Sequence, residues 1–183
     1  ILKANILIEA LPYMQSYRDK TILIKFGGSA MDNPDLVKSL MRDIVVLEAM
    51  GLNPVVVHGG GKAISKAMQE AGLEARFVNG LRVTTPEAID IVERTLSGTI
   101  NPGLVEMVRE TGGKAVGIPG TNVFVGEKLM EKDAEGNPVD IGMVGRVIGC
   151  QLARVEEALA LELTPIISPL ARELGTHHSL NVN

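Results

Sequence analysis

Thr21-Ile22-Leu23-Ile24-Lys25-Phe26-Gly27-Gly28 is an apolar run that closes on a pair of glycines, and Pro54-Val55-Val56-Val57-His58-Gly59-Gly60-Gly61 repeats the device. Each run has the length and β-branched content of a buried strand. Each is followed by a helical segment. Asp32 or Asn33 can cap the first helix, with Pro34 in its first turn, and Gly51 stops it near Met50. Lys62 to Ala71 makes the second. Strand, glycine turn and helix in immediate repetition predict an α/β fold, a three-layer αβα sandwich with a mainly parallel central sheet.

On the amino-terminal side, residues 2–17 (LKANILIEALPYMQSY) carry apolar positions at helical spacing, and Pro12 predicts a kink or break. On the other side, Asn79-Gly80 between apolar residues of 77–84 (FVNGLRVT) signals a hairpin. Thr85 and Pro86 can start a helix towards Leu96, and a separate helix is expected over Pro102 to Thr111. Beyond Gly112-Gly113 the pattern predicts short strands at Ala115–Ile118, Val123–Val125 and Val144–Ile148. A helix over Ala153–Leu161, a buried strand at Pro165–Ser168 and the start of another over Ser179–Asn183 follow. No linker interrupts the pattern. Residues 1–183 read as one domain, with 1–18 an extra N-terminal helix.

With 45% hydrophobic and only 3% aromatic residues, the core is one of Val, Ile, Leu, Ala and Met between helices and a sheet. A net charge of -4 without a basic cluster excludes a general nucleic-acid binder. No apolar stretch approaches a membrane span, and the first residues lack the features of a secretory signal. A single cysteine, Cys150, cannot form an internal disulfide, which favours a reducing compartment, and it reads as a small core residue. The expectation is a cytoplasmic protein.

Glycine turns at the carboxyl ends of neighbouring parallel strands carry the chemistry. Ligands of open α/β sheets bind at that edge. Glycine lets the backbone approach an anion, and the following helix aims free N–H groups at it. Gly27-Gly28 and Gly59-Gly60-Gly61 side by side can grip two anions, as phosphoryl transfer requires; the plain alternative is a pair of tight strand-to-helix turns. Lys25, immediately before the first glycine turn, can offset charge on a transferring phosphoryl group, against the alternative of a lysine snorkelling from a strand end. Neither turn fits the dinucleotide or GxxxxGK[ST] fingerprint, so Lys62 after its three glycines is not a phosphate-loop lysine. Arg82 has the planar fork for a carboxylate, although taken alone a surface salt bridge explains such an arginine as well.

Four segments then occur in an order that resembles the acetylglutamate kinases of the amino acid kinase family. They are Leu23-Ile24-Lys25-Phe26-Gly27-Gly28, Val57-His58-Gly59-Gly60-Gly61, Asn79-Gly80-Leu81-Arg82-Val83-Thr84 and Leu180-Asn181-Val182-Asn183. The resemblance implies ATP-dependent phosphorylation, with Mg2+, of the side-chain carboxylate of N-acetyl-L-glutamate in arginine biosynthesis. By matching positions, Lys25 is the catalytic residue, Gly27 and Gly28 bind phosphate, and Gly60, Gly61, Arg82 and Asn181 bind the acetylated amino acid. No protein metal ligand is implied, and the histidines need no catalytic role. The leading helix with Leu11-Pro12-Tyr13 resembles that of arginine-inhibited, hexameric members, which implies a homo-oligomer and arginine feedback. The resemblance further implies a C-terminal ATP-binding domain absent from residues 1–183. This chain alone is then expected to bind acetylglutamate weakly and transfer little phosphate. A non-catalytic amino-acid-binding or oligomerisation domain of the same fold is the alternative.

Overall fold

The computed structural model describes residues 2–133 and 135–182, so Asn183, expected in the last strand, lies outside the described residues. Helix α1 (Leu2–Tyr17) leads into β1 (Thr21–Phe26), a 3-10 turn (Gly28–Asp32) and α2 (Pro34–Ala49). Then come β2 (Asn53–His58), α3 (Gly61–Glu70) and a hairpin of β3 (Phe77–Val78) and β4 (Leu81–Arg82). A long helical run comprises α4 (Pro86–Glu93), a π-helical turn (Arg94–Ile100) and α5 (Asn101–Glu110). The remainder is β5 (Ala115–Ile118), β6 (Phe124–Lys132), β7 (Pro138–Cys150), α6 (Ala153–Ala160), β8 (Thr164–Ile167), β9 (Leu170–Glu173) and β10 (Ser179–Asn181).

The strand–turn–helix repeat makes the expected sheet. Its order is β1-β2-β8-β5, and every pairing is parallel. Alternation along β2 and β8 divides the core. Val56 and Ile166 face α2 and α5, whereas Val55 and Ile167 face α6. Helices thus cover both faces. Asn33 caps α2 by accepting from the backbone N–H groups of Asp35 and Leu36, with Pro34 in its first turn as expected. Asn79 and Gly80 have φ of 50° and 81°, the left-handed pair that a two-residue hairpin turn requires.

A second sheet was not foreseen. Strands β6, β7, β9 and β10 close on themselves in the order β10-β7-β6-β9, and α3 and α4 pack against them through Ile64, Met68, Ile89 and Val92. The short strands expected at Val123–Val125 and Val144–Ile148 are parts of this long β6–β7 hairpin.

Other expectations change too. β1 is a sheet edge with Leu23 68% exposed, so it is not a buried strand, and Lys25 is its penultimate residue, followed by Phe26. Pro12 does not end α1; the Ile8 carbonyl it leaves without an intrahelical donor belongs to an exposed residue, where water can serve it. The helices expected over 86–96 and 102–111 are one run, because the π turn carries the chain past Gly98. Cys150 is exposed at the end of β7 rather than in the core. No described helix is long and apolar enough to cross a membrane.

Candidate active site

The carboxyl ends of β1 and β2, the amino end of α3, the β3–β4 hairpin, the middle of β7 and the end of β10 enclose a cleft of about 580 Å³. Lys25, Gly27, Gly28, Gly60, Gly61, Arg82 and Asn181 all line it. Residues spread from the first strand to the last are therefore brought to one place.

The glycine turns touch each other. Gly59 donates its N–H to the Phe26 carbonyl at 2.7 Å, and a Cβ built on Gly59 would lie 3.0 Å from the Gly27 Cα. Any side chain there would separate the loops. Gly60 is held from behind, since its Cβ would meet Ile100 Cδ1 at 2.6 Å and Leu96 Cδ2 at 2.7 Å. Gly28 needs its residue type for another reason, a φ of 63°. Gly60 precedes the first turn of α3, so the N–H groups of Gly60 and Gly61 are not used within the helix, and both residues line the cleft. Lys62 instead pairs with Asp32 at 2.9 Å on the flank, across the opening of the helix.

Arg82 is only 7% exposed. Its Nη2 donates to the Gly61 carbonyl at 2.7 Å and to Ser65 Oγ at 2.8 Å, and Nη1 approaches Met68 Sδ at 3.7 Å. Its Cζ lies 4.7 Å from the centre of the Phe77 ring. These partners are all neutral, and burial pulls the guanidinium below its ordinary pKa, although it stays charged. Among the described residues no carboxylate pairs with it, so the surface-salt-bridge alternative is wrong. Asn181 donates to Thr84 Oγ1 at 3.3 Å, and Thr84 Oγ1 donates to the Arg82 carbonyl at 3.0 Å. That relay ties the last strand to the hairpin.

Phe77 and Ser65 escaped the sequence reading, but signals for both were present. A two-residue Asn79-Gly80 turn sets Phe77 opposite Arg82, as the register shows. Ser65 lies four residues after Gly61, on the same helix face, and its hydroxyl donates back to the Gly61 carbonyl at 3.1 Å. Among the described residues no group of three or more His, Cys, Asp or Glu could hold a metal ion.

A wall of free N–H groups, a lysine and an unpaired guanidinium suits a ligand with anionic groups at both ends. The profile of the amino acid kinase family matches residues 20–183. The chain is 74% identical over its whole length to a protein of Akkermansia muciniphila named acetylglutamate kinase, and spans 62% of that relative. It is 43% identical over 93% of its length to the acetylglutamate kinase of Caldanaerobacter subterraneus, of which it spans 56%. Among solved structures, N-acetylglutamate synthase from Neisseria gonorrhoeae, complexed with coenzyme A and N-acetyl-glutamate, superposes with a TM-score of 0.78. That match is 19% identical and covers 97% of this chain and 39% of that one, which shows the shared fold.

Proposed function

The chain belongs to the amino acid kinase family, and from that premise we propose that it forms the acetylglutamate-binding part of an acetylglutamate kinase, a step of arginine biosynthesis. The observation that carries the proposal is the convergence of Lys25, both glycine turns, Arg82 and Asn181 on one cleft.

In this reading Arg82 takes the α-carboxylate of N-acetyl-L-glutamate, and Asn181 takes its acetylated amino group. The side-chain carboxylate is delivered to the N–H groups of Gly60 and Gly61. Gly27, Gly28 and Lys25 meet the phosphoryl group of ATP. A carboxylate is already a nucleophile and needs no general base, so the histidines stay out of the chemistry. Two anions must nevertheless be held in line, and fixed N–H dipoles and cations lower that repulsion without reorganising. ATP enters as its Mg2+ complex, the metal neutralising phosphate charge. Its adenine contacts belong to a C-terminal ATP-binding domain; the greater length of both kinase relatives supports that part of the proposal. The exposed apolar residues of α1 support assembly of a homo-oligomer, a hexamer with arginine feedback in this reading, in the cytoplasm.

Calorimetric titration of the chain with N-acetyl-L-glutamate, glutamate and aspartate tests the proposal. Selective heat for the acetylated ligand, lost in Arg82→Ala, is expected. Equal or absent binding of all three ligands by folded chain would refute an autonomous acetylglutamate pocket.

A further inference from the structure

His58 ends β2, lines the cleft and is 2% exposed. Its Nδ1 is 2.8 Å from the Gly59 carbonyl oxygen, and its Nε2 is 3.2 Å from Asn101 Nδ2. The same Asn101 nitrogen is 2.8 Å from the Ile166 carbonyl oxygen on β8. These contacts fix every proton. A carbonyl only accepts, so the amide face towards Ile166 must be NH2; reversing it would set oxygen against oxygen. That NH2 then donates to Nε2, which must be bare, and the ring proton sits on Nδ1 and goes to Gly59.

Asn101 reaches this position through local structure. It is the first residue of α5, directly after the π turn, and it is 3% exposed. A Cβ on Gly117 of β5 would collide with its Oδ1, so β5 leaves room for the amide by having no side chain there. One side chain therefore contacts the carboxyl ends of β2, β8 and β5.

A peptide unit is planar and trans, so fixing the Gly59 carbonyl also fixes the Gly60 N–H, which points the opposite way. The preceding peptide is pinned too, by the bond from the Gly59 N–H to Phe26. We propose that His58 and Asn101 are a positioning pair, Asn101 locking the His58 ring so that its Nδ1–H holds the Gly59–Gly60 peptide and aims the Gly60 N–H at the bound anion. The proposal deepens the acetylglutamate reading and rests on it only for the identity of that anion.

Nitrogen NMR of the chain tests it. The wild-type His58 ring is expected as a single neutral tautomer with its proton on Nδ1. In Asn101→Leu the ring should become a tautomer mixture, and the Gly60 and Gly61 amide signals should move while those of α6 stay. N-acetyl-L-glutamate should bind about tenfold more weakly there. His58→Asn, whose shorter amide can still reach Gly59, should keep the Gly60 signal near its wild-type place. A wild-type ring with its proton on Nε2, or an unmoved Gly60 amide in Asn101→Leu, would overturn the pair. If Asn101→Leu does not fold, the wild-type tautomer and His58→Asn decide. A wild type that ignores N-acetyl-L-glutamate while its Gly60 amide still responds to Asn101→Leu would refute the acetylglutamate reading and leave the pair standing.

Discussion

Arg82 brings a permanent cation into a wall of neutral groups, and its geometry is fixed before any ligand arrives. Gly61 and Ser65 occupy Nη2, and Phe77 lies against the guanidinium plane. Lysine could keep the charge but not the fork or the stacking. Arg82→Lys should therefore weaken N-acetyl-L-glutamate by about tenfold or more in calorimetry, with the fold intact by circular dichroism; unchanged affinity would mean that only net charge matters there. His58 titrates against the fold. Burial, opposed in smaller measure by the bond to Gly59, holds its imidazole below the ordinary value of 6.5. Above that value both folded and unfolded chains carry the neutral ring, and full stability is present. As pH falls below 6.5 towards the folded value, the unfolded chain takes up the proton first, and stability is lost. Thermal melts should show this loss in the wild type and a shallower one in His58→Gln, whereas parallel slopes would speak against it.

At the scale of elements, the two glycine turns show why a missing side chain is structural. Gly60 has a φ of 170°, outside the left-handed region, and the obstacle that its surroundings present is packing. Its Cβ would press on Leu96, itself fully buried, and on Ile100. Gly60→Ala should cost about 1–3 kcal/mol in denaturant unfolding and displace the start of α3, abolishing ligand heat. Asn33→Ala should cost about 1 kcal/mol through the lost α2 cap and leave binding alone, since that cap faces away from the cleft lining. Elements with local signals were legible beforehand: the β1 and β2 turns, the Asn33 cap and the Asn79-Gly80 hairpin all declare themselves within a few residues. The β6–β7 hairpin does not. Glycines at 126, 142 and 145 interrupt its alternation, and each lies against a distant neighbour: Gly126 abuts Ala171, Gly142 abuts Thr84, and Gly145 abuts Leu180. The π turn was hidden for the same reason, as the demand for Asn101 comes from β2 and β8. Site residues named from the motifs do meet in one cleft; Ser65 and Phe77 were implied by helix spacing and hairpin register, while Asn101 became visible only through what it touches.

Over the whole molecule, stability is unevenly shared. β2 and β8 lie inside the parallel sheet with helices on both faces, and Val56 and Ile166 have no exposure at all. α1 exposes Ile6, Leu7, Ile8, Leu11, Tyr13 and Tyr17. A sixteen-residue helix without a packed face is marginal in water. Hydrogen exchange should find α1 amides almost unprotected in the monomer and those of Val56 and Ile166 among the slowest. Protection of α1 that grows with protein concentration would instead report that a second copy covers it.

The contact between Gly27 and Gly59 makes the cleft a ruler with one fixed end. The loops that would hold phosphate and attacking carboxylate lie backbone against backbone, so neither can be moved without the other. Adjustment is left to the far end, where Arg82 sits on a two-stranded hairpin anchored to β7 through Thr84. An acceptor shorter by one methylene could not be served by retuning the phosphate grip. Adapting this scaffold to a new amino acid would mean redrawing the hairpin and leaving the glycines untouched.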